Sequence, residues 1–311
     1  MRALVTGAAG FLGSTLVDAL LKSGADVLGI DAFIENYPAA IKRGNLARAL
    51  GHPRFRLVET DLRTTAFEPL LKEITHVAHL AALPGVRASW GESFRAYAEH
   101  NVIATQRLLE ALRLHPVERV VVASSSSVYG LPTRFPTPEE ETLRPVSPYG
   151  VTKLAKEGLL HAYWANYRLP VVGLRYFTVY GPRQRPDMGI HSFFEAARLG
   201  TPVSVFGDGE QTRDFTYVDD AVEATLAALH RPVPGLSYNV GGGHRVSVND
   251  LLTSIELVTG RSVERRRVAP PPGDPRDTAA DVSRAQRDLE YAPRTNLAEG
   301  LRRQWEWQRA R

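Results

Sequence analysis

The chain has 311 residues, 43% of them hydrophobic and 23% charged, and it contains no cysteine. That is a globular composition with length for about two domains. It excludes a disordered or collagen-like chain, disulfides, thiolate nucleophiles and cysteine zinc sites. Lys and Arg number 38 against 34 Asp and Glu, a net charge of +4, and only five of the basic residues are lysine, an excess of arginine that fits either a polyanionic partner or a coding bias.

In chain order, residues 3–5 read as a short strand running straight into a glycine turn, with no room for a cleavable leader. From Phe11 to Leu21 the apolar residues recur at helical spacing. Residues 27–30 form the next strand, closed by Asp31, and 55–58, 77–80 and 120–122 repeat the pattern. A helix is expected over 93–114, another over 148–167, and a sixth strand over 171–174. Strands alternating with helices predict the α/β class with a doubly wound parallel sheet. After about Arg175, Pro and Gly become frequent, as at 232–235, 241–243 and 270–273, with shorter helices over 218–229 and 248–258 and a terminal one over 297–311. The expected division is 1–175 for a nucleotide-type domain and 176–311 for a smaller C-terminal substrate domain, some of whose segments pack back onto the first. No window approaches the ~20 apolar residues of a membrane span. The reading is a soluble, cytoplasmic protein.

The first motif is Gly7-Ala8-Ala9-Gly10-Phe11-Leu12-Gly13, between a strand and a helix. Small residues there let backbone N–H groups and a helix N-terminus approach a pyrophosphate, although a plain tight turn would use them too. Asp31 ends the second strand, where a carboxylate accepts from both ribose hydroxyls of NAD and repels the 2′-phosphate of NADP. Lys42 and Arg43 in the next helix leave NADP as the lesser alternative. Asp61-Leu62 follows the third strand, where Asp61 could meet an adenine amino group or cap a helix. Leu80-Ala81-Ala82 suits a cofactor lying across the sheet edge. Together these predict a Rossmann-like sheet that binds NAD.

Ser124 to Ser127 follow the fifth strand, and Tyr149 and Lys153 stand at i and i+4 on one helix face. An ammonium one turn away favours a phenolate, so Tyr149 could work as a base. A strand-end Ser would hold the substrate oxygen. Tyr-x-x-x-Lys alone is common; behind a glycine turn, Asp31 and a Ser run it points to catalysis. The nine His form no metal-ligand spacing, so no catalytic metal is expected. No basic-aromatic stripe suggests nucleic acid.

In this order the motifs resemble the extended short-chain dehydrogenase/reductases, specifically the NAD-dependent sugar-nucleotide epimerases, over essentially the whole chain. Asn101-Val102, Pro148-Tyr149-Gly150, the run from Arg175 to Pro182, Gly207 to Phe215, Tyr238 to Gly241 and Pro272-Gly273-Asp274 all fall in family order. Gly85-Val86-Arg87, Phe177-Thr178-Val179 and Arg185-Pro186-Asp187-Met188 are similar to UDP-glucuronate 4-epimerases. Leu83 and the stretch from Ala32 to Asn36 depart from the common pattern.

The resemblance implies transient oxidation of a UDP-sugar at C4, from UDP-glucuronate to UDP-galacturonate, through a 4-keto sugar that turns over before hydride returns. Tyr149 would be the base, Lys153 its partner and a ribose ligand, and Ser125 the aligning hydroxyl. Gly7, Gly10, Phe11, Leu12, Gly13, Asp31, Asp61, Leu62, Leu80, Ala81, Ala82, Asn101 and Tyr176 would complete the NAD site. Pro84, Gly85, Val86, Arg87, Ser126, Ser127, Thr178, Arg185, Val205, Gln211, Arg213 and Arg276 would meet the UDP-sugar. Among them Arg213 and Arg276 would hold the diphosphate, while Ser126, Ser127, Thr178 and Arg185 would hold the sugar carboxylate. The plainer roles are a salt bridge of Arg213 to Asp214 or Asp219 and a surface-loop Arg185. A homodimer through helices 93–114 and 148–167 is also implied. The stripe of Ala98, Val102, Thr105, Leu108, Leu109 and Leu112 would serve either that interface or the chain's own sheet. The alternatives are a UDP-glucose/UDP-galactose 4-epimerase, a decarboxylase, dehydratase or reductase using the same intermediate, or a dinucleotide-sensing regulator.

Overall fold

The computed structural model describes residues 1–231 and 234–311; Pro232 and Val233, part of the expected 232–235 turn, lie outside the described residues. Six strands arise where the sequence predicts them: β1 (Arg2–Thr6), β2 (Asp26–Asp31), β3 (Phe55–Glu59), β4 (His76–His79), β5 (Arg119–Ser125) and β6 (Val171–Tyr176). β4 and β6 are buried throughout and β1 and β5 nearly so. That is why residues 3–5, 120–123 and 171–174 read as apolar runs and not as alternations. Farther on come β7 (Val179–Tyr180), β8 (Val203–Phe206), β9 (Thr212–Asp214), β10 (Thr216–Tyr217) and β11 (Ser237–Val240).

β11 pairs in parallel with β6 and completes a seven-stranded sheet in the order β11-β6-β5-β4-β1-β2-β3. β1 is flanked by β2 on one side and β4 on the other. The strand order therefore reverses at β1, and the crevice beyond the carboxyl ends of β1 and β4 is where such sheets bind ligands.

The helices begin with α1 (Phe11–Lys22), α2 (Ala39–Leu50) and a short α3 (Glu68–Leu71). The helix expected over 93–114 is divided into α4 (Phe94–Ala98) and α5 (Ala104–Leu114) by a π turn over Glu99–Ile103. The wider turn brings Asn101 fully inside. Its amide accepts from Leu83 N at 2.7 Å and donates to Leu83 O and Thr152 Oγ1, both at 3.0 Å. Thr105, Leu108, Leu109 and Leu112 are at most 1% exposed and belong to the chain's own core. α6 (Pro148–Tyr167) starts where Ser147 accepts from Gly150 N at 3.1 Å and Pro148 takes the first turn. In the second half α7 (Gly189–Leu199) precedes α8 (Val218–His230), which packs back against α1. No helix among the described residues is long and apolar enough to cross a membrane.

Candidate active site

The crevice is built first by backbone. Gly7 closes β1 at φ +70°, and a Cβ there would stand 2.9 Å from the Ala81 backbone; on Gly13 it would stand 2.0 Å from Gly7 O. Only glycine lets these segments approach so closely. α1 starts behind Gly10 without any side-chain cap, so its first N–H groups are left for an anion. This cradle fits the diphosphate of a dinucleotide.

Asp31 is fixed at the end of β2. Its two oxygens accept from Ala9 N (2.9 Å) and Phe33 N (2.8 Å), leaving lone pairs for a ribose diol. Arg43 forks onto Glu59 at 2.7 and 2.9 Å. Lys42 turns to Ile34 O and to Asn36 Oδ1 at 2.8 Å. Both cations near the ribose end are thus engaged within the protein, which fits NAD better than NADP. Asp61 is gripped by the Arg63 guanidinium at 2.7 Å, which holds its carboxyl below the usual range.

From this cradle a cleft of about 420 Å³ runs past the ends of β4, β5 and β6. Except for Asn101, the residues expected around NAD all line it: Gly7, Gly10, Phe11, Leu12, Gly13, Asp31, Asp61, Leu62, Leu80, Ala81, Ala82, Tyr149, Lys153 and Tyr176. On the sugar side Pro84, Gly85, Val86, Ser125, Ser126, Ser127, Thr178, Arg185 and Arg213 do so too. Asn101 works from behind, holding Leu83. Val205 is 2% exposed in the core, and Gln211 donates to Phe206 O at 2.9 Å. Arg87 lies over the Phe206 ring at 4.0 Å, and Arg276 is exposed and pairs with Asp208 at 3.0 Å. These four do not line the cleft. Arg213 pairs with Asp274 at 2.6 Å, not with Asp214 or Asp219, and Arg185 forks onto Asp187.

The reactive trio converges in the cleft from two elements. Tyr149 opens α6, its N–H donating to Ser89 Oγ at 3.0 Å and its ring meeting the Tyr97 ring edge-on at 6.3 Å. Lys153, one turn on and 3% exposed, donates from Nζ to Ala123 O at 3.0 Å and lies 5.6 Å from the Tyr149 ring centre. Ser125 ends β5; its Oγ accepts from Ser127 N and donates to Ser127 Oγ, each at 3.1 Å. Behind the trio, His79 is fully buried between Thr6 Oγ1 (2.8 Å) and Thr105 Oγ1 (2.9 Å), and burial holds its imidazole neutral.

A family model described as "NAD dependent epimerase/dehydratase family" matches residues 3–241. The chain belongs to the NAD-dependent epimerase/dehydratase family. It superposes on a UDP-glucuronic acid 4-epimerase from Bacillus cereus, solved in complex with UDP-glucuronic acid and NAD, with a TM-score of 0.97 and 43% identity, covering 100% of this chain and 99% of that one. MoeE5, 44% identical over 100% of this chain and 99% of its own, has been solved with NAD and either UDP-glucuronic acid (TM-score 0.91) or UDP-glucose (TM-score 0.90). A Bacillus subtilis relative named "Uncharacterized UDP-glucose epimerase YtcB" is 46% identical, with 97% of this chain and 96% of that protein aligned.

NAD is therefore the cofactor of this epimerase/dehydratase. Tyr37 and Asp274 are among the cleft residues that sequence reasoning passed over. Tyr37, the residue after the stretch that departs from the family pattern, is 8% exposed with no partner for its hydroxyl. Burial pushes it up to about 12, so it stays a hydrogen-bond donor. Asp274 was visible in its motif, but its partner Arg213 lies 61 residues away.

Lys156, one turn beyond Lys153 in this epimerase/dehydratase, is fully buried without a hydrogen-bond partner. Burial pushes its ammonium well below the usual 10.5, and the Lys153 charge adds to the effect. His79 faces it from β4 as a neutral ring. Folding therefore makes Lys156 hold its proton less tightly than the unfolded chain does, so this residue weakens the fold at pH values below 10.5, and the penalty fades as pH rises to that value. Lys156→Met should melt at a higher temperature than the parent at pH 7, with the gap closing by pH 10. A gap that is absent, or that widens with pH, would show that folding does not loosen the Lys156 proton.

Proposed function

We propose that this epimerase/dehydratase is a UDP-sugar 4-epimerase that converts UDP-glucuronate to UDP-galacturonate. The observation that carries the reading is the convergence of Tyr149, Lys153 and Ser125 with Arg185, Ser126, Ser127 and Thr178 in one cleft beside the glycine cradle. Tyr149 takes the proton from the C4 hydroxyl, and Ser125 aligns that oxygen. Lys153 supplies the positive charge that favours the phenolate. Bound NAD accepts the hydride from C4 and gives it back to the other face, so net redox is zero. The glycine cradle and Asp31 must hold the cofactor through the whole cycle.

A glucuronate adds a hazard. The 4-keto sugar is a β-keto acid, which loses CO₂ when its carboxylate bond stands perpendicular to the ketone plane. Arg185, Ser126, Ser127 and Thr178 hold the carboxylate away from that orientation. Incubation with UDP-glucuronate, UDP-glucose and UDP-xylose in parallel, read by NMR, tests the reading. UDP-galacturonate is the expected product; UDP-xylose in quantity would make the protein a decarboxylase, and consumption of free NADH a reductase.

The same reading divides the work between residues 1–175, which hold NAD, and 176–311, which mainly hold the sugar nucleotide. It places the protein in the cytoplasm, as a homodimer joined through the outer faces of α4, α5 and α6. Ile103, at the end of the π turn between α4 and α5, and Val151 on α6 support this, being 51% and 46% exposed. The mass in solution decides it.

A further inference from the structure

Arg185 has a partner of its own. Its Nε and Nη2 donate to the two oxygens of Asp187, each at 2.9 Å, in a planar fork. The Arg185 side chain is only 17% exposed, whereas the Asp187 side chain is 53% exposed. The turn beneath is rigid. Gln184, 1% exposed, donates to Val179 O (3.1 Å) and accepts from His191 N (3.0 Å) and Gln304 Nε2 (2.8 Å). Met188 N donates to Arg185 O at 3.1 Å. Partners of Arg185 can therefore be exchanged by side-chain rotation alone.

A uronate carboxylate entering the cleft offers the same two-oxygen face as Asp187. It can replace Asp187, whose exposed carboxylate turns to water. A sugar with a neutral C6 hydroxymethyl group offers no anion. With Asp187 present, Arg185 keeps its counter-charge while such a sugar sits beside it. Without Asp187, the neutral sugar would bury an unpaired guanidinium, which is strongly unfavourable, while a uronate would find the guanidinium free.

We propose that Asp187 is a specificity-determining residue, a resident counter-anion that lets one site take UDP-sugars with either a C6 carboxylate or a C6 hydroxymethyl group. The inference rests on the 4-epimerase reading above. Its test is kcat/KM for UDP-glucuronate and UDP-glucose, measured on the NAD-loaded wild type, Asp187→Asn and Asp187→Glu. The wild type should epimerise both sugars. Asp187→Asn should raise the preference for UDP-glucuronate by roughly 10-fold or more, chiefly through KM for the two sugars moving apart. Asp187→Glu, which keeps the anion, should return the preference toward that of the wild type. A wild type that uses UDP-glucuronate alone, or a preference that Asp187→Asn leaves unmoved or reverses, overturns the role of Asp187. Turnover of neither sugar is a separate failure, that of the 4-epimerase reading itself.

Discussion

Tyr149→Phe should lose epimerase turnover by about 10³-fold or more while keeping its fold and its NAD, because a positioned base contributes on the order of 10²- to 10⁴-fold. The change removes one oxygen and little else. The edge-on packing against Tyr97, the backbone bond from Tyr149 N to Ser89 and the Lys153 bond to Ala123 O do not involve that hydroxyl. The cradle of Gly7, Gly10 and Gly13 lies on another element. The rate of UDP-sugar epimerisation by NMR and the NAD released on denaturation separate the two effects. Full activity in the variant would remove Tyr149 from the role of base. Loss of NAD together with activity would assign the hydroxyl to cofactor retention.

The second large effect is expected on stability. Glu157 on α6 and Arg175 on β6 form an ion pair with side chains 8% and 6% exposed. Glu157 accepts from Arg175 Nε at 3.0 and 3.2 Å and from Nη2 at 2.7 Å, and it also takes the Ser124 hydroxyl. Arg175 Nη1 donates to Tyr129 OH (2.8 Å) and Glu139 O (3.0 Å). Glu157→Ala leaves a buried guanidinium without its anion and should destabilise the protein by about 3–5 kcal/mol. Glu157→Leu combined with Arg175→Met should recover much of that loss, because neither charge then remains buried. Denaturant unfolding of the single and double variants measures both. A single variant as stable as the parent would mean that the pair is unimportant to the fold. Ser124 adjoins the aligning Ser125, so the single variant should lose activity as well.

Local signals announced most of the first half. The central strands β1, β5 and β6 carry apolar runs that are buried almost throughout, and α6 carries its own start in Ser147-Pro148. The glycine turn, Asp31 and the Tyr149–Lys153 spacing were legible because each is a short-range pattern with a chemical reason. What stayed hidden depends on residues far apart in the chain. The π turn is tied to Asn101, whose partners are 18 and 51 residues away. Asp214 looked like a partner for Arg213, yet it is 1% exposed and accepts from Gly242 N (2.7 Å) and Ala280 N (2.9 Å). Asp219 approaches Arg303, at 3.9 Å. Val205 and Arg276 sit in the right segments, but one side chain faces the core and the other is tied to Asp208.

The seventh strand bears on how such a protein can diversify. β11 comes from the half of the chain that carries Arg213, yet it lies hydrogen-bonded along β6. A chain ending after β6 would bare a row of backbone donors and acceptors along an apolar strand, an invitation to aggregate. The two halves are thus sewn together by one edge and cannot be traded as modules between relatives. New sugar preferences on this scaffold must arise by point changes in the loops around the cleft, under the constraint that the shared sheet stays whole.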